Sequence, residues 1–163
     1  MLNVNKILCP TDFSESSYKA LNIANEMAKQ YSAELILIHV LSPLQIFPST
    51  ATIPIVTPAG GGAFSADLIN EIKEQALQSL KMTLEEKVPE EIKSTSVLLQ
   101  GSAAEEIAKY VEEANISVIV MGTHGLTGWR HLILGSVTEK TVRISPCPVL
   151  TIPAQADGRP TVK

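Results

Sequence analysis

Four nearly unbroken apolar runs dominate this chain: "KILCP" at 6–10, "AELILIHVL" at 33–41, "SVIVMG" at 117–122 and "PVLTIP" at 148–153. A strand with one wet face alternates apolar and polar residues, whereas a run apolar at every position suits a strand buried on both faces. "STSVLLQG" at 94–101 reads as one more strand, ending in glycine. Helical spacing fills the gaps. Leu21, Ala24, Met27 or Ala28, and Tyr31 recur every three to four residues after the first run, with Asp12 and Ser14 both candidate N-caps. Ile69, Ile72, Ala76, Leu80 and Leu84 line a helix over 66–87 that Val88 and Pro89 close. Ser102 and Glu105 form a capping-box pattern before the stripe Ala104, Ile107, Ala108 and Val111, and a last helix covers 136–144. Strand and helix in alternation predict an α/β fold: a five-stranded parallel sheet with helices on both faces.

The bulk properties agree with one such domain. The chain has 163 residues, 45% hydrophobic and 18% charged, too apolar to stay unfolded. Its 13 Lys and Arg residues are scattered and the net charge is −4, which argues against a nucleic-acid partner. No apolar run approaches the ~20 residues that span a bilayer, and the N-terminal apolar segment is too short for a signal peptide. A cytoplasmic protein is expected, with no membrane partner. Cys9 and Cys147 then read as reduced, buried thiols. His39, inside the second run, reads as a satisfied core or strand-end histidine, and the three histidines lack zinc-site spacing.

Residues 42–65, "SPLQIFPSTATIPIVTPAGGGAFS", interrupt the pattern. Four prolines and a triple glycine exclude a regular helix, leaving a mobile surface insertion or, given its apolar content, a lid or subunit contact. The expected domain spans 1–153, and the polar end, 154–163, is expected to fray.

In an open parallel sheet, ligands bind beyond the carboxyl ends of the strands, where the strand order reverses. Two strand ends carry distinctive residues: "CPTDFS" after the first and "MGTHGLTGWRHLILGS" after the fourth. The latter holds no Walker-type loop and no G-x-G-x-x-G. Its glycines admit two readings. In one, Gly122 ends a strand, Gly125 and Gly128 are turn residues, and Ser136 caps the last helix with Glu139 as a capping box. In the other, Gly122 lets a ribose or phosphate approach the backbone. The amides of Gly135 to Val137 then meet an anion at a helix N-terminus, with the hydroxyls of Ser136 and Thr138 as further donors. Spacing alone does not choose between them.

"GTHGLTGWRHLILGS" matches the G-2x-G-9x-G-[ST] pattern of the ATP-binding universal stress proteins. "KILCPTDFSESSYKALNIA" and "SPCPVLTIP" resemble that family's first and last segments, so the likeness covers residues 4–153. The resemblance implies a Rossmann-like sheet of order 3-2-1-4-5, akin to the adenine nucleotide alpha hydrolases, with the first and fourth strands adjacent. It implies ATP as ligand, together with Mg2+ or Mn2+. Pro10, Thr11 and Asp12 would meet the adenosine, Val40 the adenine, and Met121 and Gly122 the ribose side. Gly125, Gly135, Ser136, Val137 and Thr138 would hold the phosphates. Two loop residues outside the motif join them, His124 through its backbone and Arg130 through its guanidinium, although a solvated surface role suits that arginine as well. Trp129 is expected to pack beneath the loop. The resemblance also implies a homodimer through "PVLTIP", from Pro148 to Pro153.

Hydrolysis of ATP needs a positioned water, a charge clamp and usually a held metal. The loop offers no carboxylate before Glu139, and Asp12 is expected at the other end of the nucleotide. No catalytic residue is assigned. The chain reads as a nucleotide-dependent regulator or sensor in a stress response, with a slow ATP hydrolase or a nucleotide-free interaction module as alternatives.

Overall fold

The computed structural model describes residues 3–42, 66–123 and 134–153. Five strands, β1 (Lys6–Pro10), β2 (Glu34–Leu41), β3 (Ser94–Gln100), β4 (Val118–Gly122) and β5 (Val149–Ile152), form one sheet of order β3-β2-β1-β4-β5. Every pairing is parallel; Cys9 lies beside Leu37, and Leu8 beside Ile119. The helices are α1 (Glu15–Tyr31), α2 (Ala66–Lys87), α3 (Ala103–Ala114) and α4 (Ser136–Ile144).

Alternate residues of the central strands feed two separate cores, which is why their sequences show no polar face. Ile7, Cys9, Leu35, Leu37, Val118 and Val120 pack against α1 and against Leu80 of α2. Leu8, Ile36, Ile38, Val40, Ile119 and Met121 pack with Ile107 and Val111 of α3 on the other side. Helices therefore cover both faces, as the apolar runs predict. The edge strand β3 is mixed, with Thr95 and Ser96 exposed. Cys9 is fully buried and burial pushes its thiol up to about 12, while Cys147 is half-buried; both are free.

Helix ends settle one expectation and correct two. Of the two N-cap candidates for α1, Ser14 caps, its Oγ accepting from the Ser17 N–H at 3.2 Å. Ser102 holds the N-cap position of α3, but its hydroxyl makes no cap bond and instead engages the Glu105 side chain. The capping box at Ser136 is also absent. Gly135, extended at φ −67° and ψ 154°, is the N-cap of α4, so Ser136 is the first helical residue and Glu139 pairs with Arg143 at 2.8 Å. Position in the backbone, not side-chain preference, decides the role. Tyr31, whose spacing helped to mark α1, is the last helical residue and is 48% exposed.

Candidate functional site

The order reversal falls between β1 and β4, so the segments leaving their carboxyl ends lie side by side. The β1 side is a tightly bonded turn. Thr11 N–H donates to the Ile38 carbonyl at 2.8 Å, and Phe13 N–H to Thr11 Oγ1 at 3.0 Å. Asp12 Oδ1 accepts from both the amide (3.1 Å) and the hydroxyl (2.5 Å) of Ser14. Thr11 is buried and its hydroxyl lies 3.0 Å from Ser17 Oγ. The Ser17 hydroxyl itself donates to the Ser14 carbonyl, which leaves Thr11 as the donor in that pair. Thr11 thus commits its hydroxyl to the turn and its N–H to β2. His39 is buried and satisfied as expected, with Nδ1 2.7 Å from the Thr11 carbonyl.

On the β4 side the chain leaves at Thr123 and is met again at Gly135, whose N–H donates to the Thr123 carbonyl at 2.6 Å. Thr138 Oγ1 donates to the Gly122 carbonyl at 2.8 Å, and Thr138 is buried. Its hydroxyl fastens the first turn of α4 to the end of β4 and is not directed to a ligand as the sequence suggested. With glycine at the N-cap there is no side chain to cap the first turn. Among the described residues, the amides of Ser136, Val137 and Thr138 make no bond to the chain; the first helical bond is from Glu139 N–H to the Gly135 carbonyl. Ser136 and Val137 are exposed. These amides and the helix dipole make a positive end at the crevice.

Gly122 needs its missing side chain for a reason other than the one read from sequence. A Cβ there would lie 2.6 Å from Ser16 Oγ and 3.0 Å from the Ser16 carbonyl oxygen. The first turn of α1 lies against this glycine, and that contact locks the two sides of the crevice together. Ser16 was missed because a serine in a first helical turn carries no signal of which neighbour it touches. Val40 and Met121 are buried in one core cluster, so they present backbone to the strand ends. Pro10 closes β1 opposite Ile38. His124, Gly125 and Arg130, with Trp129 and Gly128, lie outside the described residues, as do most of the 42–65 insertion and the last ten residues.

Fold and crevice define a parallel α/β domain whose strand-order switch carries an uncapped helix N-terminus. The universal stress protein family model matches residues 3–153, and the chain belongs to that family. It is 32% identical to universal stress protein YxiE of Bacillus subtilis over 91% of this chain and 98% of the relative. It is also 32% identical to universal stress protein MJ0577 of Methanocaldococcus jannaschii, over 90% and 93% of the two chains. The solved structure of MJ0577 superimposes with a TM-score of 0.79, covering 96% of this chain and all of that one. The universal stress protein of Archaeoglobus fulgidus in complex with dAMP shares the fold at 19% identity and a TM-score of 0.56, over 93% and 98%. Among the described residues no helix is long and apolar enough to cross a membrane.

Proposed function

We propose that this chain is a cytoplasmic regulator or sensor that binds ATP in the crevice between the β1–α1 turn and the start of α4. The observation that carries the reading is the first turn of α4, pinned over β4 with a glycine cap and three amides open to an anion. Pro10, Thr11 and Asp12 stand on the opposite side, at the distance of one topological switch, where an adenosine would lie. The dAMP held by the A. fulgidus relative makes an adenine nucleotide the natural choice. Triphosphate charge suits this helix end, and Mg2+ or Mn2+ would neutralise what the amides do not. Among the described residues no three of His, Cys, Asp and Glu gather to hold a metal. A divalent ion would therefore take its oxygens from the phosphates, from water and from the exposed Ser136 hydroxyl. Glu139 is already paired with Arg143, which favours binding over hydrolysis.

Substituting Ser136→Asp separates the site from the fold. A carboxylate in the first turn stabilises α4 through its dipole by about 0.3–1 kcal/mol. The same charge repels the triphosphate, so ATP affinity measured by calorimetry without divalent ion should fall at least tenfold while the thermal midpoint holds or rises. Unchanged affinity refutes the phosphate assignment. A homodimer through β5 belongs to the same proposal, since β5 ends the sheet and Leu150 is 39% exposed.

A further inference from the structure

Beyond β1 the backbone ladder continues for one more contact, from Thr11 N–H to the Ile38 carbonyl. The carbonyl of the same residue is then held by a side chain of the neighbouring strand, His39 Nδ1 at 2.7 Å. A carbonyl only accepts, so Nδ1 carries the proton. The ring is buried and lies 4.7 Å, centroid to centroid, from Phe13, with the planes tilted by 39°. Phe13 adopts φ +63°, a left-handed conformation that costs a residue with a Cβ about 1 kcal/mol. Three contacts hold Phe13 there: its own N–H to Thr11 Oγ1, its ring against the imidazole, and its packing on the core that α1 covers. One histidine therefore fixes the peptide after Thr11 and supports the strained residue after Asp12, on both sides of the residue expected nearest the base and ribose. A strained turn that is over-determined in this way is preorganised, and preorganisation lowers the ordering cost of binding.

We infer that His39 is a positioning residue for the nucleoside half of the site: it acts through Thr11 and Phe13, setting affinity for adenosine without touching the phosphate half. The inference rests on the ATP-binding reading above and adds to it a division of labour. The β2 side chain governs the nucleoside, and the α4 amides govern the polyphosphate.

The test uses the full-length chain with His39→Asn, His39→Gln and His39→Leu variants. Asparagine places an amide N–H near the Nδ1 position, glutamine places it near Nε2, and leucine supplies none. Affinities for ATP, adenosine and inorganic tripolyphosphate are measured by calorimetry. The Asn variant should stay within about threefold of the unsubstituted chain for all three probes. The Gln and Leu variants should weaken ATP and adenosine by about tenfold, the loss of one well-placed hydrogen bond, and leave tripolyphosphate unchanged. If leucine prevents folding, the Asn-against-Gln comparison carries the same information between two polar side chains. A second readout needs no ligand. The Nδ1 proton of His39 should appear as a slowly exchanging ring resonance, and the amides of residues 11–14 should exchange faster in the Gln variant than in the Asn variant. Equal adenosine affinity in the Asn and Gln variants overturns the inference while leaving ATP binding intact. An equal loss for tripolyphosphate overturns it as well, by showing a general structural effect. If the unsubstituted chain binds neither ATP nor tripolyphosphate, the parent reading and this one fail together.

Discussion

Replacing Gly122 by alanine gives a direct measure of how the two sides of the crevice are joined. The new methyl carbon would stand 2.6 Å from Ser16 Oγ, 3.0 Å from the Ser16 carbonyl oxygen and 3.1 Å from its carbonyl carbon. The hydroxyl can turn away, but the carbonyl belongs to the backbone of α1 and cannot. The helix must shift by a few tenths of an ångström against a sheet already packed to crystal-like density. Overpacking of this kind costs about 1–3 kcal/mol. Part is offset by about 0.4–1 kcal/mol because alanine restricts the unfolded chain. Taken at the midpoints, a net loss of about 1.3 kcal/mol follows, a drop of roughly 3–5 °C in thermal midpoint for a domain of this size. Urea unfolding of ligand-free protein, followed by circular dichroism, measures it. Ser16→Ala should be neutral or slightly stabilising by itself, because Ser16 Oγ is buried with no hydrogen-bond partner among the described residues. Combined with Gly122→Ala it should recover part of the loss, a coupling that a double-mutant cycle isolates. If Gly122→Ala leaves stability intact and weakens only nucleotide binding, the packing argument is wrong and the ligand-approach reading returns. Strict additivity of the two substitutions would also sink it.

Three further outcomes are expected. Thr138→Val removes the 2.8 Å bond to the Gly122 carbonyl and should cost about 1 kcal/mol in urea unfolding, whereas Thr138→Ser should cost less because it keeps the donor. Leu150→Lys places a charge on the exposed face of the terminal strand and should shift the sedimentation behaviour from dimer to monomer; a species unchanged in mass rejects the β5 interface. Cys9 should make stability fall with rising pH. Burial raises its folded value to about 12 from an ordinary thiol value of 9.0, so the folded state keeps a proton that the unfolded chain releases. The contribution is complete below pH 9 and is lost between 9 and 12, with a slope of about 1.4 kcal/mol per pH unit. The Cys9→Ala variant, whatever its offset from the lost side-chain volume, should show a flatter slope in that window.

The sheet was readable from sequence because burial on both faces removes polar residues from β1, β2 and β4 alike. The edge strand β3 was found on weaker grounds, its apolar residues confined to Val97–Leu99 and its glycine stop. Helix starts were less legible, since a capping pattern reports which side chains are capable of capping and not where the chain turns. Ser14 both can and does cap. Ser136 sits one residue inside a helix that an extended glycine has already opened. The left-handed Phe13 and the Ser16–Gly122 contact had no local signal at all. The first is imposed by bonds to Thr11 and a ring on β2, the second by the crossing of α1 over β4, and both depend on neighbours distant in the chain.

The same distinction explains why so few of the site residues are recognisable as chemistry. Thr11 and Thr138 turn their hydroxyls inward, and Val40 and Met121 give their side chains to a core. Apart from the Asp12 and Ser136 side chains, what remains at the crevice is peptide: carbonyls and amides at strand ends, and the open first turn of α4. A site made this way has no lysine or arginine, among the described residues, to match a phosphate charge for charge. Its attraction comes from aligned dipoles, which fall off within about one helical turn. Such a surface would hold a polyanion only if something else placed it there, and in the proposed site that placement would fall to the β1–α1 turn. The rigidity of that turn, wired through Thr11, Ser14, Ser17 and His39, would on the proposed reading be as much a part of recognition as the amides that would face the phosphates.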